Sequence, residues 1–144
     1  MQNRKLSFTN GKFKIMQIAD VQEIPAVSPD TIKLICAAVE REKPDLVIFT
    51  GDQIKGYSSF FLGDKGRINA ENTIKAIIKP LEERNIPFTM TFGNHDGEAA
   101  LRKNEQFELY KQSPMFVYAD EASEDEKATF CLSIDDKFLV YLFD

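Results

Sequence analysis

The sequence has little histidine, little cysteine and no long apolar run. Its 144 residues include one histidine, His95, and two cysteines, Cys36 and Cys131. The cysteines lie far apart, without the paired spacing of zinc sites or the density of a disulfide scaffold, and both read as reduced core residues. No stretch approaches the roughly 20 apolar residues of a membrane span, and Met1 to Thr9 leads into no apolar signal-like segment. A cytoplasmic location and no membrane partner are therefore expected. There is no internal repeat, linker or low-complexity tract. The balance of charge, −5, lacks the clustered Lys and Arg that bind phosphate backbones, so no nucleic-acid polymer is expected as a partner.

What is present suits one globular domain over residues 1–144: the chain is 43% hydrophobic and 28% charged, enough to bury a core. Asn10-Gly11, between Leu6–Thr9 and Lys12–Ile15, is a strong hairpin signal because both turn positions need positive φ. The second arm continues through Ile18, too apolar for a strand wet on one side, and stops at Asp20. Ser28-Pro29 offers an N-cap and first helical residue, Ile32, Ile35, Ala38 and Val39 follow at helical spacing, and Pro44 ends the pattern. Leu46–Thr50 is a continuous apolar run, as in a parallel strand buried on both faces. An irregular stretch from Gly56 to Gly66 precedes a helix carrying Ile74, Ile77, Ile78 and Leu81, which Pro80 should kink or end early. Pro87–Phe92 reads as a third strand and Glu98–Gln112 as a helix anchored by Leu101, Phe107 and Tyr110. Asp120–Lys127 reads as an acidic surface loop. Thr129–Ile134 and Phe138–Phe143 form a closing hairpin about Asp135-Asp136-Lys137. Alternation of this kind predicts an α/β fold with a βαβαβ core, a parallel sheet and a C-terminal hairpin.

Each of the three parallel-type strands runs into side chains able to bind metal: Asp20 with Gln22, then Asp52, then Asn94-His95-Asp96. In open α/β sheets ligands bind beyond the carboxyl ends of the strands, so these clusters should converge there. Carboxylate and amide oxygens suit divalent cations, and an adjacent imidazole can move protons. A carboxylate bridging two ions holds them about 3.5–4 Å apart. Asp52, centrally placed, is the candidate bridge. Gly51 and Gly93 leave room for sharp turns and a close backbone approach.

Asp20-Val21-Gln22, Gly51-Asp52-Gln53 and Gly93-Asn94-His95-Asp96 resemble the D-x-H, G-D and G-N-H-[DE] blocks of the calcineurin-like metallophosphoesterases, in the same order and strand context. The texture of Phe13–Asp20 and Lys43–Asp52 is similar to the purple-acid-phosphatase-like branch of bacterial and fungal phosphohydrolases. The resemblance implies the N-terminal half of a metallophosphoesterase β-sandwich flanked by helices, with two divalent ions (Mn, Fe, Zn or Mg) and a small phosphate ester as substrate. It implies that Asp20 binds the first metal, Asp52 bridges, Asn94 binds the second, and His95 is the proton donor or transition-state stabiliser, oriented by Asp96.

Two departures qualify the expectation. Gln22 stands where the family usually has a metal-binding histidine, and a weaker, harder amide ligand should loosen the first site or make it prefer a harder ion. The family completes both metal spheres with histidines from later blocks. Asp20, Gln22, Asp52 and Asn94 cannot give each of two ions about four to six donors, so the chain alone is expected to be a truncated domain, inactive, with weak or absent metal. A sheet cut short should also self-associate through Phe138–Phe143.

Each residue has an ordinary structural use as well. Asp20 and Asp52 could cap turns, Gln22 could be a bystander, and Asn94 could supply positive φ after Gly93. Asp96 could cap the following helix, and His95 could be an unremarkable surface or core residue. Phe88, Phe92, Phe107, Phe130, Phe138 and Phe143 read as core. Tyr57, Phe60 and Phe61 lie in the Gly-rich loop near the presumed site and read first as packing residues, with the shaping of substrate entry as their other role. In function, a phosphatase or phosphodiesterase leads, with a nuclease or cyclic-nucleotide phosphodiesterase behind it on the same scaffold. A catalytically dead metallophosphoesterase-like binding module is the alternative.

Overall fold

The computed structural model describes residues 1–120 and 128–144. Apart from Asp120, the acidic stretch lies outside the described residues. Strands β1 (Ile15–Ile18), β2 (Leu46–Thr50) and β3 (Phe88–Thr91) alternate with helices α1 (Pro29–Glu42) and α2 (Gly63–Glu82), and helix α3 (Lys103–Lys111) precedes the hairpin strands β4 (Phe130–Ile134) and β5 (Phe138–Leu142). The first three strands form a parallel sheet in the order β1-β2-β3, and β4-β5 is a separate antiparallel pair. The expected α/β architecture, βαβαβ followed by a hairpin, is what the chain adopts.

Local chemistry sets the helix ends. Ser28 accepts the backbone N–H of Asp30, Pro29 starts α1, and the helix stops at Lys43, which is left-handed (φ 47°) and precedes Pro44, a position where right-handed helical backbone is disfavoured. Pro80 lies inside the last turn of α2, which continues past it to Glu82, so the proline does not cut the helix short. The helix expected over Glu98–Gln112 is shorter. A 3₁₀ turn covers Asp96–Glu98, and α3 begins only at Lys103, where Glu105 reaches back to the backbone N–H of Arg102 (2.9 Å). Gly56–Gly66 is likewise less irregular than expected, with a 3₁₀ turn at Ser59–Phe61 and α2 already under way.

The register puts Ile15 and Gln17 on the same sheet face as Leu46, Ile48, Thr50, Thr89 and Thr91. The opposite face carries Val47, Phe49, Phe88 and Met90, all buried. There the ring of Phe88 lies 6.1 Å from Phe49, 6.3 Å from Tyr110 and 5.5 Å from Phe116. Residues 115–117 close the free edge of β3, Phe88 donating to Met115 O and Val117 donating to Phe88 O.

Three sequence expectations need correction. The Asn10-Gly11 turn forms, with both residues at positive φ, but its ladder is the single Thr9–Lys12 pair, and Leu6 instead bridges Ile134 of β4. The side chain of Asp135 accepts from Phe8 N (2.7 Å), which draws the first arm toward the hairpin strands. Strand β1 is wet on one side: Ile15 is 39% accessible and Gln17 is exposed, where they line a groove of about 520 Å³ between the sheet and β5. Phe138 and Phe143 are not core, being 55% and 73% accessible; β4 buries every second residue, whereas β5 buries only Leu142. The self-association expected from sequence would fall on this surface. No helix among the described residues is long and apolar enough to cross a membrane.

Candidate metal centre and active site

The strand ends turn by leaving the usual backbone regions. Asp20 (φ 53°), Gln22 (φ 46°) and Asp52 (φ 51°) are left-handed, and Gly51 stands at φ 101°. Positive φ is uncommon for residues other than glycine, and such conformations gather at functional sites. Asn94 has no positive φ, so the turn role open to it from sequence belongs to the aspartates and Gln22. Beyond the strands the first two loops continue in parallel: Asp20 N donates to Gly51 O (3.1 Å), Gln22 N to Asp52 O (2.9 Å) and Lys55 N to Glu23 O (3.0 Å).

The third loop is tied to the second by Asp96. Its Oδ2 accepts from Asp52 N (2.8 Å) and Gly93 N (2.7 Å), and its Oδ1 from Ile54 N (3.2 Å). At 1% accessibility it is a buried staple, and it does not cap the following turn. Burial pushes its carboxyl above the ordinary range, while the three backbone donors pull the other way. Gln106, equally buried, donates through Nε2 to Asp96 O and Leu101 O (both 2.7 Å), filling backbone acceptors where the chain leaves the site.

His95 is held at its backbone by Asp52, whose Oδ1 accepts from His95 N (2.9 Å). The imidazole pairs not with Asp96 but with Glu98, Nδ1 to Oε2 at 3.3 Å. The ring of Tyr57 stands 4.6 Å from it, inclined at 61°. A Cβ on Gly56 would lie 1.8 Å from His95 O, so only glycine lets the Tyr57 loop come this close.

Asp20, Asp52 and His95 therefore sit on loops hydrogen-bonded to one another, with Asn94 between two residues of the network. Asp20 and Asn94 are exposed, Gln22 half-buried and Asp52 buried. Among the described residues the side-chain oxygens of Asp20, Gln22 and Asn94 make no hydrogen bond, and Asp52 uses only Oδ1. Beside Asp52, the buried Oε1 of Gln53 also lacks a partner. Unspent carboxylate and amide oxygens fit a hard divalent cation in kind. They do not fill two coordination spheres, and among the described residues no three His, Cys, Asp or Glu side chains gather as a metal-binding group.

The model of the calcineurin-like phosphoesterases matches residues 13–142, from just before β1 through β5. The chain belongs to the calcineurin-like phosphoesterase family. Phosphatase DCR2 of Saccharomyces cerevisiae is 30% identical over 135 residues, covering 83% of this chain and 22% of its own length. Probable inactive purple acid phosphatase 29 of Arabidopsis thaliana is 31% identical over 121 residues, covering 72% of this chain and 29% of its own. An uncharacterized metallophosphoesterase of Aquifex aeolicus is 26% identical over 127 residues, covering 87% of this chain and 43% of its own. The chain thus spans less than half the length of each of these relatives. No solved structure matches it.

Members of the calcineurin-like phosphoesterase family hydrolyse phosphate esters and generally use divalent metals. Within this chain, sequence reasoning missed Glu98, Gln106 and the contact of Tyr57 with His95. The spacing of Glu98, three residues after His95, was a usable signal for one turn of 3₁₀ helix. Tyr57 was legible only as a residue near the site. Nothing local marked Gln106.

Proposed function

We propose that the intact protein is a metal-dependent phosphohydrolase acting on a small phosphate ester, a phosphatase or phosphodiesterase. The observation that carries this reading is the Asp96 staple, which fastens the G-D and G-N-H-D loops together, while Gln22 and Asp20 join through backbone bonds. Asp20 and Gln22 would hold one cation, Asn94 the other, and Asp52 both, with residues outside this chain completing each sphere. When bound, the two ions would supply an activated water and charge stabilisation for in-line displacement. His95 would deliver a proton to the leaving oxygen, or hold the developing negative charge, from a ring whose backbone Asp52 fixes. Asp96 would act by keeping Asp52 and Gly93 in register.

A second reading, a binding module without catalysis, is favoured by Gln22 and by relatives named as probable inactive purple acid phosphatases. Assay of the full-length protein with an aryl phosphate and a bis-aryl phosphate, with manganese added, separates the two. Turnover of either ester supports the hydrolase. Absence of turnover, together with no metal in elemental analysis, would establish the binding module.

A further inference from the structure

The imidazole of His95 is held on two sides by residues outside the expected site. Its Nδ1 lies 3.3 Å from Glu98 Oε2, and the ring of Tyr57 stands 4.6 Å away. Asp96 is not available for this task, since both of its oxygens already accept backbone N–H groups. An ionised carboxylate only accepts hydrogen bonds, so contact with Glu98 requires the proton on Nδ1 and leaves Nε2 bare in the neutral ring. Glu98 and His95 are three residues apart across the 3₁₀ turn Asp96–Glu98, a spacing that eclipses their side chains. The turn is itself pinned, because Glu98 N donates to His95 O (3.1 Å) and Gln106 holds Asp96 O.

We propose that Glu98 is the positioning residue for His95, selecting the Nδ1–H tautomer so that Nε2 faces the chemistry, with Tyr57 limiting rotation of the ring. Tyr57 is 47% accessible, and Lys55 Nζ lies 5.3 Å from its ring centroid. The aromatic wall is thereby braced by a cation–π contact rather than by burial. Glu98 is exposed, so its replacement tests orientation without opening the core.

The tautomer stands apart from catalysis, whereas its effect on rate rests on the phosphohydrolase reading. Because His95 is the only histidine, long-range proton–nitrogen NMR correlations of the nitrogen-15-labelled chain report its tautomer without assignment. The expected result is Nδ1–H in the wild-type neutral ring, retained in Glu98→Gln, whose amide oxygen still accepts, and reverted to the Nε2–H form of free imidazole in Glu98→Ala. In the full-length enzyme Glu98→Ala should lower kcat about tenfold with KM unchanged, and Glu98→Gln should restore most of it. Nε2–H in the wild type, or no tautomer change in Glu98→Ala, overturns the proposal. Lack of turnover in the wild-type enzyme with the tautomer pattern as expected would sink the hydrolase reading and leave the positioning role of Glu98 intact.

Discussion

A Cβ added to Gly93 would stand 2.1 Å from Asp52 Oδ1 and 2.5 Å from Asp52 N. The two motif loops meet at a distance that only a missing side chain permits, and the atom in the way is the oxygen that fixes His95 N. Gly93→Ala must therefore push Asp52 aside or separate the loops. Overpacking of this kind costs about 1–3 kcal/mol, so the denaturation midpoint should fall by that amount. The His95 amide resonance should also shift. A stable Gly93→Ala variant with an unmoved His95 amide would show that the contact is slack.

Asp96 gives a larger effect for a different reason. Asp96→Ala would orphan the N–H groups of Gly93, Asp52 and Ile54, and unsatisfied buried donors cost about 1–3 kcal/mol each. Partial relaxation should leave a net loss on the order of 3 kcal/mol in urea unfolding, with faster hydrogen exchange at those amides. Unchanged protection there would contradict the staple.

Glu105 predicts a pH effect with a definite sign. Its carboxyl is held below the ordinary range, first by the side-chain hydrogen bond from Arg67 and then by the Arg102 N–H. A depressed carboxyl stabilises the fold above its unfolded pKa and ceases to do so as pH falls through the folded value. Stability should therefore drop on the acid side, below about pH 4.3, the ordinary glutamate pKa. Glu105→Gln should flatten that limb by lowering neutral stability to the same small extent, since the pair with Arg67 is half-exposed and screened by solvent. An acid limb of unaltered slope would assign the effect to other carboxylates.

Much of the fold was legible because its signals were local. Leu46–Thr50 could be read as a strand to the residue, and the Ser28-Pro29 start of α1 needed only capping rules. The errors arose where tertiary partners decided the outcome. Leu6 found Ile134 instead of the second arm of its own turn, and Phe138 and Phe143 looked like core because an unbroken apolar run does not reveal which face another layer covers. At the site, strand ends located Asp20, Asp52 and His95. The division of labour between Asp96 and Glu98 depended on which carboxylate was buried among backbone donors, and adjacent sequence positions do not disclose that.

Gln22 adopts φ 46° with its N–H bonded to Asp52 O, a conformation that histidine accepts more readily than most residues. Gln22→His should therefore fold without strain and, in the intact protein, tighten binding of manganese or zinc measured by titration calorimetry. Unchanged affinity would show that the side chain at this position does not reach the metal.

Asp52 and His95 should separate metal retention from proton transfer. In Asp52→Asn the amide oxygen can still accept His95 N, so the loop survives, but the charge expected to bridge two cations is gone. The full-length variant should lose most metal and most activity together. His95→Ala removes the imidazole while leaving every proposed ligand in place, so metal content should persist as kcat falls by about 10²–10⁴-fold, the usual scale of general acid catalysis. Leaving-group dependence adds a further check. If His95 protonates the leaving oxygen, an ester with an acidic phenol needs that proton least, and the deficit of His95→Ala should shrink with it. Equal metal loss in both variants would mean that His95 is itself a ligand, and a deficit independent of the leaving group would move it from proton donor to electrostatic stabiliser.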